Sequence, residues 1–269
     1  MKRLILFVSA ILVGLHAMAW GPMGHRIVAQ VAYHYLTDST IAQLDNELGT
    51  HGLVYWSTWP DEIRSDKELY STSYDWHFQD LNSGLSDERV CHLMRVYPCH
   101  GGRMWQAVDE LGKAVSALSD TCVVLKETMP RHDALVFWTH LLADRLCPMH
   151  IARENDKGGN LVEIQWFGQT TNLHAVWDEK LIESQGYSYS EYAQMLVDTY
   201  GSTAEEIRQL SIEQCVLMTY HTTSDIYSYQ KDWNGNGYTF KWDWTEKCNR
   251  LLFMAGIQLA KEIEALYTK

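Results

Sequence analysis

Apolar residues recur at helical spacing along most of the chain. Residues 25–36 place Ile27, Val28, Val31 and Tyr35 on one side, and 103–118 do the same with Met104, Val108, Leu111 and Val115. Residues 132–146 carry Leu135, Phe137, Trp138, Leu141 and Leu142, and 245–267 repeat Leu251, Leu252, Ala255, Leu259 and Ile263. Such stripes predict amphipathic helices. The segments 71–102 and 228–245, rich in Gly, Ser and Asp, read as irregular, and 161–167 (LVEIQWF) is the one strand-like stretch. The first residues follow another pattern. Lys2 and Arg3 precede an unbroken apolar run, Leu4 to Leu15, and Ala17-Met18-Ala19 then meets the small-x-small rule. This predicts a secretory leader over 1–19, cut after Ala19, because the run falls short of the roughly 20 residues a membrane span needs. Residues 20–269 hold no repeat, low-complexity tract or long linker and read as one mainly α domain.

Composition narrows the picture only slightly. At 46% hydrophobic and 21% charged, the 269 residues are ordinary for a globular protein. Against 34 Asp and Glu stand 22 Lys and Arg, a formal charge of −12, which becomes −14 once Lys2 and Arg3 leave with the leader. Taken alone, that balance excludes a Lys/Arg-lined nucleic-acid groove and an anionic-membrane surface protein. The cysteines (91, 99, 122, 147, 215 and 248) form no CxxC pair, so a thiolate zinc finger is not indicated. In an exported protein they suit disulfides, with about fifteen full pairings open to six cysteines. No N-x-S/T acceptor is present.

The histidines and aspartates change the picture more. His140 and Asp144 share one helix face, and His174 and Asp178 repeat that H-x3-D spacing. His150 follows the first pair after a Cys-Pro break. Asp61 sits in WPDEIR, His77 in DWHFQD, and His25 five residues past the expected new N-terminus. One H-x3-D pair on a helix is more often a hydrogen bond than a metal site. Two pairs near tryptophans, with another histidine between them, point to a secreted zinc hydrolase, since imidazole and carboxylate are the usual donors at catalytic zinc.

In order along the chain come W-G-x-x-G-H (Trp20 to His25), W-P-D-x-x-R (Trp59 to Arg64), H-F-x-D (His77 to Asp80), H-x3-D-x5-H (His140, Asp144, His150) and G-G-N…N-L-H-x3-D (Gly158 to Asp178). This series resembles the secreted zinc-dependent single-strand nucleases and 3′-nucleotidases of fungi, plants and bacteria. That family shares its helical fold with bacterial zinc phospholipases C. The motifs cover Trp20 to Asp178, with the remainder matching loosely.

The resemblance implies a single-domain helical bundle with long irregular loops around a cleft holding three Zn²⁺. Asp61, His77, His140 and Asp144 would hold the first, and His150, His174 and Asp178 the second. The third would take His25, Asp144 as a bridge, and Trp20 through its α-amino nitrogen and carbonyl oxygen. Cleavage after Ala19 would therefore create a ligand. The implied reaction is in-line attack by a zinc-bridging water on a phosphodiester of single-stranded DNA or RNA, or on 3′-nucleotides, leaving 5′-phosphates. The bridging water falls to the pair joined by Asp144, and the remaining metal takes the phosphate and the departing 3′ oxygen. Arg64, one turn beyond Asp61, would reach a phosphate oxygen, with a surface salt bridge as its ordinary alternative. Asn160 matches a phosphate contact and could equally form the turn after Gly158-Gly159. Phe78 could stack on a base, or pack in the core, and Asp80 could accept a hydrogen bond from a base edge.

Cys147, between Asp144 and His150, could be disulfide-bonded, buried and inert, or an adventitious ligand; relatives suggest a Cys91–Cys248 pair. Trp56, Trp105, Trp138, Trp233, Trp242 and Trp244 are expected in the core, and His34, His51, His92, His100, His132 and His221 carry no motif. The alternatives are a phospholipase C on the same scaffold and a non-catalytic secreted zinc-binding protein. The short step to His25, the use of Asp at 178 and the G-G-N segment favour the nuclease. The protein is expected to be a secreted or periplasmic monomer with no membrane association once the leader is cut. Three zinc ions over three ligand carboxylates would leave a local charge of about +3, so an acidic chain can still capture phosphate.

Overall fold

Short polar caps and prolines decide where the helices begin. Pro22 opens α1 (Pro22–Tyr35), and Thr37 caps α2 (Asp38–Leu48) by accepting the Thr40 N–H. Two short helices follow, α3 (Gly52–Trp56) and α4 (Trp59–Glu62), the second opened by Pro60. Ser86 caps α5 (Asp87–Val96), α6 spans Met104–Ser116, and a hairpin of β1 (Thr121–Val124) and β2 (Glu127–Pro130) leads into α7 (Arg131–Asp144). A second hairpin, β3 (Glu163–Trp166) and β4 (Gln169–Asn172), pairs Ile164 with Thr171. It runs into α8 (Leu173–Ala175), a π-helical turn over Val176–Lys180, and α9 (Leu181–Glu183). Capping boxes start α10 (Tyr189–Tyr200) and α12 (Ile212–Ser228), with α11 (Ala204–Gln209) between them, and α13 (Gly237–Tyr267) completes the chain. These are elements of a computed structural model that describes residues 20–66, 70–229 and 236–268, so the leader expected at 1–19 and Trp233 lie outside the described residues.

The architecture is mainly α, as expected, with two small antiparallel hairpins. The most extensive packing joins α1 to α13 and α10, and α6 to α7. A Cβ at Gly256 would lie 2.6 Å from Val31 Cβ, so glycine there lets α13 approach α1 closely. At the centre, α7 is buried on every side from Ala134 to Asp144, the mark of a helix surrounded by protein.

Three expectations are corrected. Residues 71–102 are not wholly irregular, because Ser86 and the acidic first turn of Asp87 and Glu88 start α5. Residues 237–245 belong to α13, whose start is capped by Asn236. Trp242 is 86% exposed, whereas Phe240 and Trp244 are buried; two residues along a helix is half a turn, which puts Trp242 on the opposite face. Trp105, Trp138 and Trp244 are buried and Trp56 is half-buried. No described helix is long and apolar enough to cross a membrane.

Candidate metal centre

Burying charge in an apolar interior is unfavourable unless the charge is paired or ligated. Even so, α7 carries His140 and Asp144 to its fully buried end. Asp144 Oδ2 lies 3.2 Å from His140 Nε2 and 3.3 Å from His77 Nδ1, while Oδ1 lies 3.1 Å from His25 Nε2 on the first turn of α1. Asp61, on α4, faces the same point: its Oδ1 is 3.5 Å from His77 Nδ1 and 3.7 Å from His140 Nε2, and its Oδ2 is 4.0 Å from His25 Nε2. The rings of His25 and His140 stack at 3.9 Å. Four separate chain segments thus converge on one spot.

A second group forms where α7 ends. Cys147 precedes Pro148 and is extended, which breaks the helix, and the following 3₁₀ turn carries His150. Asn172 caps α8 by accepting the Ala175 N–H at 2.8 Å, and this sets His174 on the first turn. Asp178 sits in the π-helical turn, a feature that often marks functional sites. Its Oδ2 lies 2.7 Å from His174 Nε2 and 3.8 Å from His150 Nε2, and its Oδ1 accepts from the Cys147 thiol at 3.4 Å. The backbone of the same turn receives the start of α1: Gly21 N–H donates to Asp178 O at 2.9 Å, beside fully buried Trp20.

Three histidines are held from behind by backbone carbonyls. His140 Nδ1 meets Ser57 O at 2.7 Å, His174 Nδ1 meets Gly158 O at 2.7 Å, and His150 Nδ1 meets His77 O. A ring nitrogen bound to a carbonyl must donate, so the opposite nitrogen faces the cluster and, once free of its own proton, offers a lone pair there, as metal-ligating histidines do.

The donor set suits a cation. His25 Nε2, Asp61 Oδ1 and Oδ2, Asp144 Oδ1, His150 Nε2 and Asp178 Oδ2 are all buried without a hydrogen-bond partner, despite their proximity. Buried polar atoms are rarely left so. Among the described residues, three groups place their donor atoms within 4.8 Å of one another: His25, His140 and Asp144; Asp61, His77 and His140; and Cys147, His150 and Asp178. The third group has Cys147 where the resemblance has His174.

Burial pushes the His77 pKa down to about 4 and, with His140 nearby, lowers that of His25, so both favour the neutral, ligating form. Burial alone would raise the Asp144 carboxyl, but His140 and His25 outweigh it and hold the group well below the usual range. His150 behaves oppositely: burial disfavours its charge, yet Asp178 and Asp144 lift its pKa to about 9. A metal there must displace a proton.

The remaining expected residues lie around this centre. Arg64 Nη2 is 3.2 Å from Asp61 Oδ1. Asn160 follows Gly158 and Gly159, both in the left-handed region, and its Nδ2 donates to Lys157 O at 2.8 Å. Phe78 is half-buried and meets Tyr74 edge-on at 6.0 Å. Asp80 is half-buried near His150 and His174, and burial raises its pKa to about 7. All six cysteines are free thiols; Cys248 is buried, Cys91 is partly exposed, and they are not joined. His51, His100, His132 and His221 have structural partners in Tyr55, Glu154, Asp133 and Asp87. Motif spacing did not reveal the π-helical turn, the three carbonyls behind the histidines or the grouping of Cys147. The signal for the last was the position of Cys147 between Asp144 and His150, which left a ligand role as one of three alternatives.

Fold and site together define a helical protein built around buried His/Asp groups able to hold metal. A family model for S1/P1 nuclease matches residues 20–268, and the chain belongs to that family. It is 32% identical over 181 residues to Endonuclease 4 of Arabidopsis thaliana, covering 64% of this chain and 58% of that protein. Nuclease S1 of Aspergillus oryzae is 30% identical over 192 residues, covering 66% and 62%, and Nuclease P1 of Penicillium citrinum 27% over 198 residues, covering 68% and 67%. The chain spans 58% of the length of Endonuclease 4 and of Endonuclease 3 from the same plant. The phospholipase and non-catalytic alternatives are not favoured by these matches.

Proposed function

We propose that this chain is a zinc-dependent phosphodiesterase that hydrolyses single-stranded DNA and RNA to 5′-phosphate products and acts on 3′-nucleotides. The observation that carries the proposal is the convergence of His25, His77 and His140 on Asp61 and Asp144, with buried donor atoms lacking partners and Arg64 alongside. In this reading three zinc ions are held. Asp61, His77, His140 and Asp144 take the first; His150, His174 and Asp178 take the second; His25, Asp144 and the amine and carbonyl of Trp20 take the third. Zinc, when bound, supplies charge neutralisation for the phosphate and activates water for attack.

The chain's own groups orient substrate. The Arg64 guanidinium meets Asp61 through Nη2 on the carboxylate and Nε on the backbone carbonyl, which holds its planar five-donor fork beside the centre where a phosphate oxygen would sit. Asn160 commits one amide hydrogen to Lys157 O and keeps a second for phosphate. Phe78 offers a half-exposed ring for base stacking, which a duplex would deny, and Asp80 accepts from a base edge. Residues 1–19 are a leader removed during export to the periplasm or outside, and 20–269 form one domain that acts as a monomer. Support for the cut comes from the family match, which starts at Trp20, and from the anchoring of Gly21 to Asp178.

Zinc content and turnover of single-stranded DNA, RNA and 3′-AMP test this reading on two forms, one beginning at Trp20 and one with extra residues before it. The Trp20 form should hold three zinc ions and turn over all three substrates, with the extended form deficient in both respects. A Trp20 form without zinc refutes the whole reading, and an extended form equal in zinc and activity refutes the N-terminal ligand.

A further inference from the structure

Past the end of α7 the chain makes two tight steps: Cys147 N–H bonds to Asp144 O at 2.9 Å, and His150 N–H bonds to Cys147 O at 3.1 Å. These steps fold Cys147 back under the helix, where it is fully buried and its Sγ lies 3.4 Å from Asp178 Oδ1. Its sulfur, a His150 ring nitrogen and an Asp178 oxygen form one of the three compact donor groups. A buried cysteine alone would mean little. Here His150 Nε2 and Asp178 Oδ2, both buried, face the same point without a hydrogen-bond partner.

We propose that Cys147 is a thiolate ligand to the metal held by His150 and Asp178. The inference rests on reading this centre as metal-binding. The compact group offers one sulfur, one nitrogen and one oxygen, donors that zinc accepts, and His174, 2.7 Å from the same carboxylate but outside that group, would be a further nitrogen donor. Binding replaces the S–H bond with a sulfur–metal bond and releases one proton to solvent per metal. A soft donor also biases the site toward zinc and cadmium and away from magnesium and manganese.

The competing role is orientation alone, in which the thiol merely donates to Asp178. Cys147→Ser separates the two, because serine keeps a donor but not the thiolate. The purified protein is exchanged into saturating cobalt(II), and near-ultraviolet spectra are compared. The expected result is sulfur-to-cobalt charge-transfer absorption that the variant lacks. The variant should bind one metal equivalent about 10–100-fold more weakly, at least as large a loss as for an outer-sphere partner. Identical spectra at equal cobalt content overturn the proposal. Cadmium-113 NMR of the unaltered protein gives the answer without a variant: one resonance in the thiolate range supports it, and all resonances in the nitrogen and oxygen range overturn it. Protein that holds neither metal overturns the metal reading as well, whereas metal held with no sulfur signature overturns this proposal alone.

Discussion

Around Asp144 almost every side chain is fixed from two sides, whereas along Phe78, Asp80 and Asn160 one side is left open. His140 is tied to Ser57 O by one nitrogen and faces two carboxylates with the other. Asp144 meets three imidazoles and has no exposure. The outer strip is held mainly by backbone. Asp80 N–H bonds to Gly101 O at 2.5 Å, Phe78 O accepts from Met104 N–H at 3.2 Å, and Asn160 closes its own turn. The buried part resembles a preorganised cage, in which geometry is set before any ligand arrives, and the strip resembles a surface that can adapt to different bases. Damage should therefore be severe and general in the cage, and graded and substrate-dependent on the strip.

The largest effect is expected at Asp144. Asp144→Asn keeps the shape but removes the charge shared by His25, His77 and His140. Zinc should fall by at least one equivalent, and kcat/KM by at least the roughly 10²–10³-fold that loss of one electrostatic contact costs. Zinc retained at the wild-type level would mean that Asp144 is only a structural partner of its histidines. Arg64, at the edge of the cage, comes next. Arg64→Ala should lower kcat about 10²–10³-fold, and Arg64→Lys, which keeps the charge without the planar fork, should fall in between. If both variants turn over at the wild-type rate, Arg64 is a salt-bridge partner of Asp61 and nothing more.

Phe78 probes the open strip. Phe78→Ala should raise KM for single-stranded oligonucleotides by the equivalent of about 1–3 kcal/mol, roughly 5- to 150-fold, with kcat little changed and Phe78→Tyr close to normal. A fall in kcat and melting temperature with no change in KM would instead assign Phe78 to the core.

What could be read from the sequence follows the same division. The cage was legible because imidazole and carboxylate are chemically distinctive and their spacings survive folding: His140 and Asp144 lie on one helix face, as four-residue spacing demands. His174 and Asp178 also meet, although the helix between them widens into a π turn that no residue pattern announced. The carbonyls of Ser57, His77 and Gly158 were invisible for a simple reason: every residue has one. Helix α5 was missed although it is amphipathic, because it is short and polar on average, and its clearest start signal is the Ser86 cap. The strip was hardest to read. Phe78 and Asp80 depend on the Gly101-Gly102 loop, where a Cβ at Gly101 would come within 3.2 Å of Asp80 Cβ, a contact set by distant chain segments.

Asp80 gives the smallest effect and the sharpest test of the division, because it belongs to the strip yet faces His150 and His174 in the cage. Burial lifts its pKa from 3.8 to about 7, with Glu154 and Asp156 adding to the shift and His150 and His174 opposing it. The folded protein therefore keeps this proton between those two values, where the unfolded chain has lost it. Stability falls as pH rises through that window, and the penalty is complete above about 7. Asp80→Asn removes the titration, so the zinc-free variant should gain stability over the wild type at pH 8 and little at pH 4. The gain is at most about 4 kcal/mol, since each pKa unit corresponds to about 1.4 kcal/mol. Urea unfolding of both zinc-free proteins at the two pH values measures it. Turnover of the zinc-loaded variant should change only a few-fold, and unequally among bases, because an acceptor-only carboxylate is replaced by an amide that presents one acceptor and one donor to a base edge. A uniform loss across all bases together with lost zinc would move Asp80 into the cage and erase the boundary between the two regions.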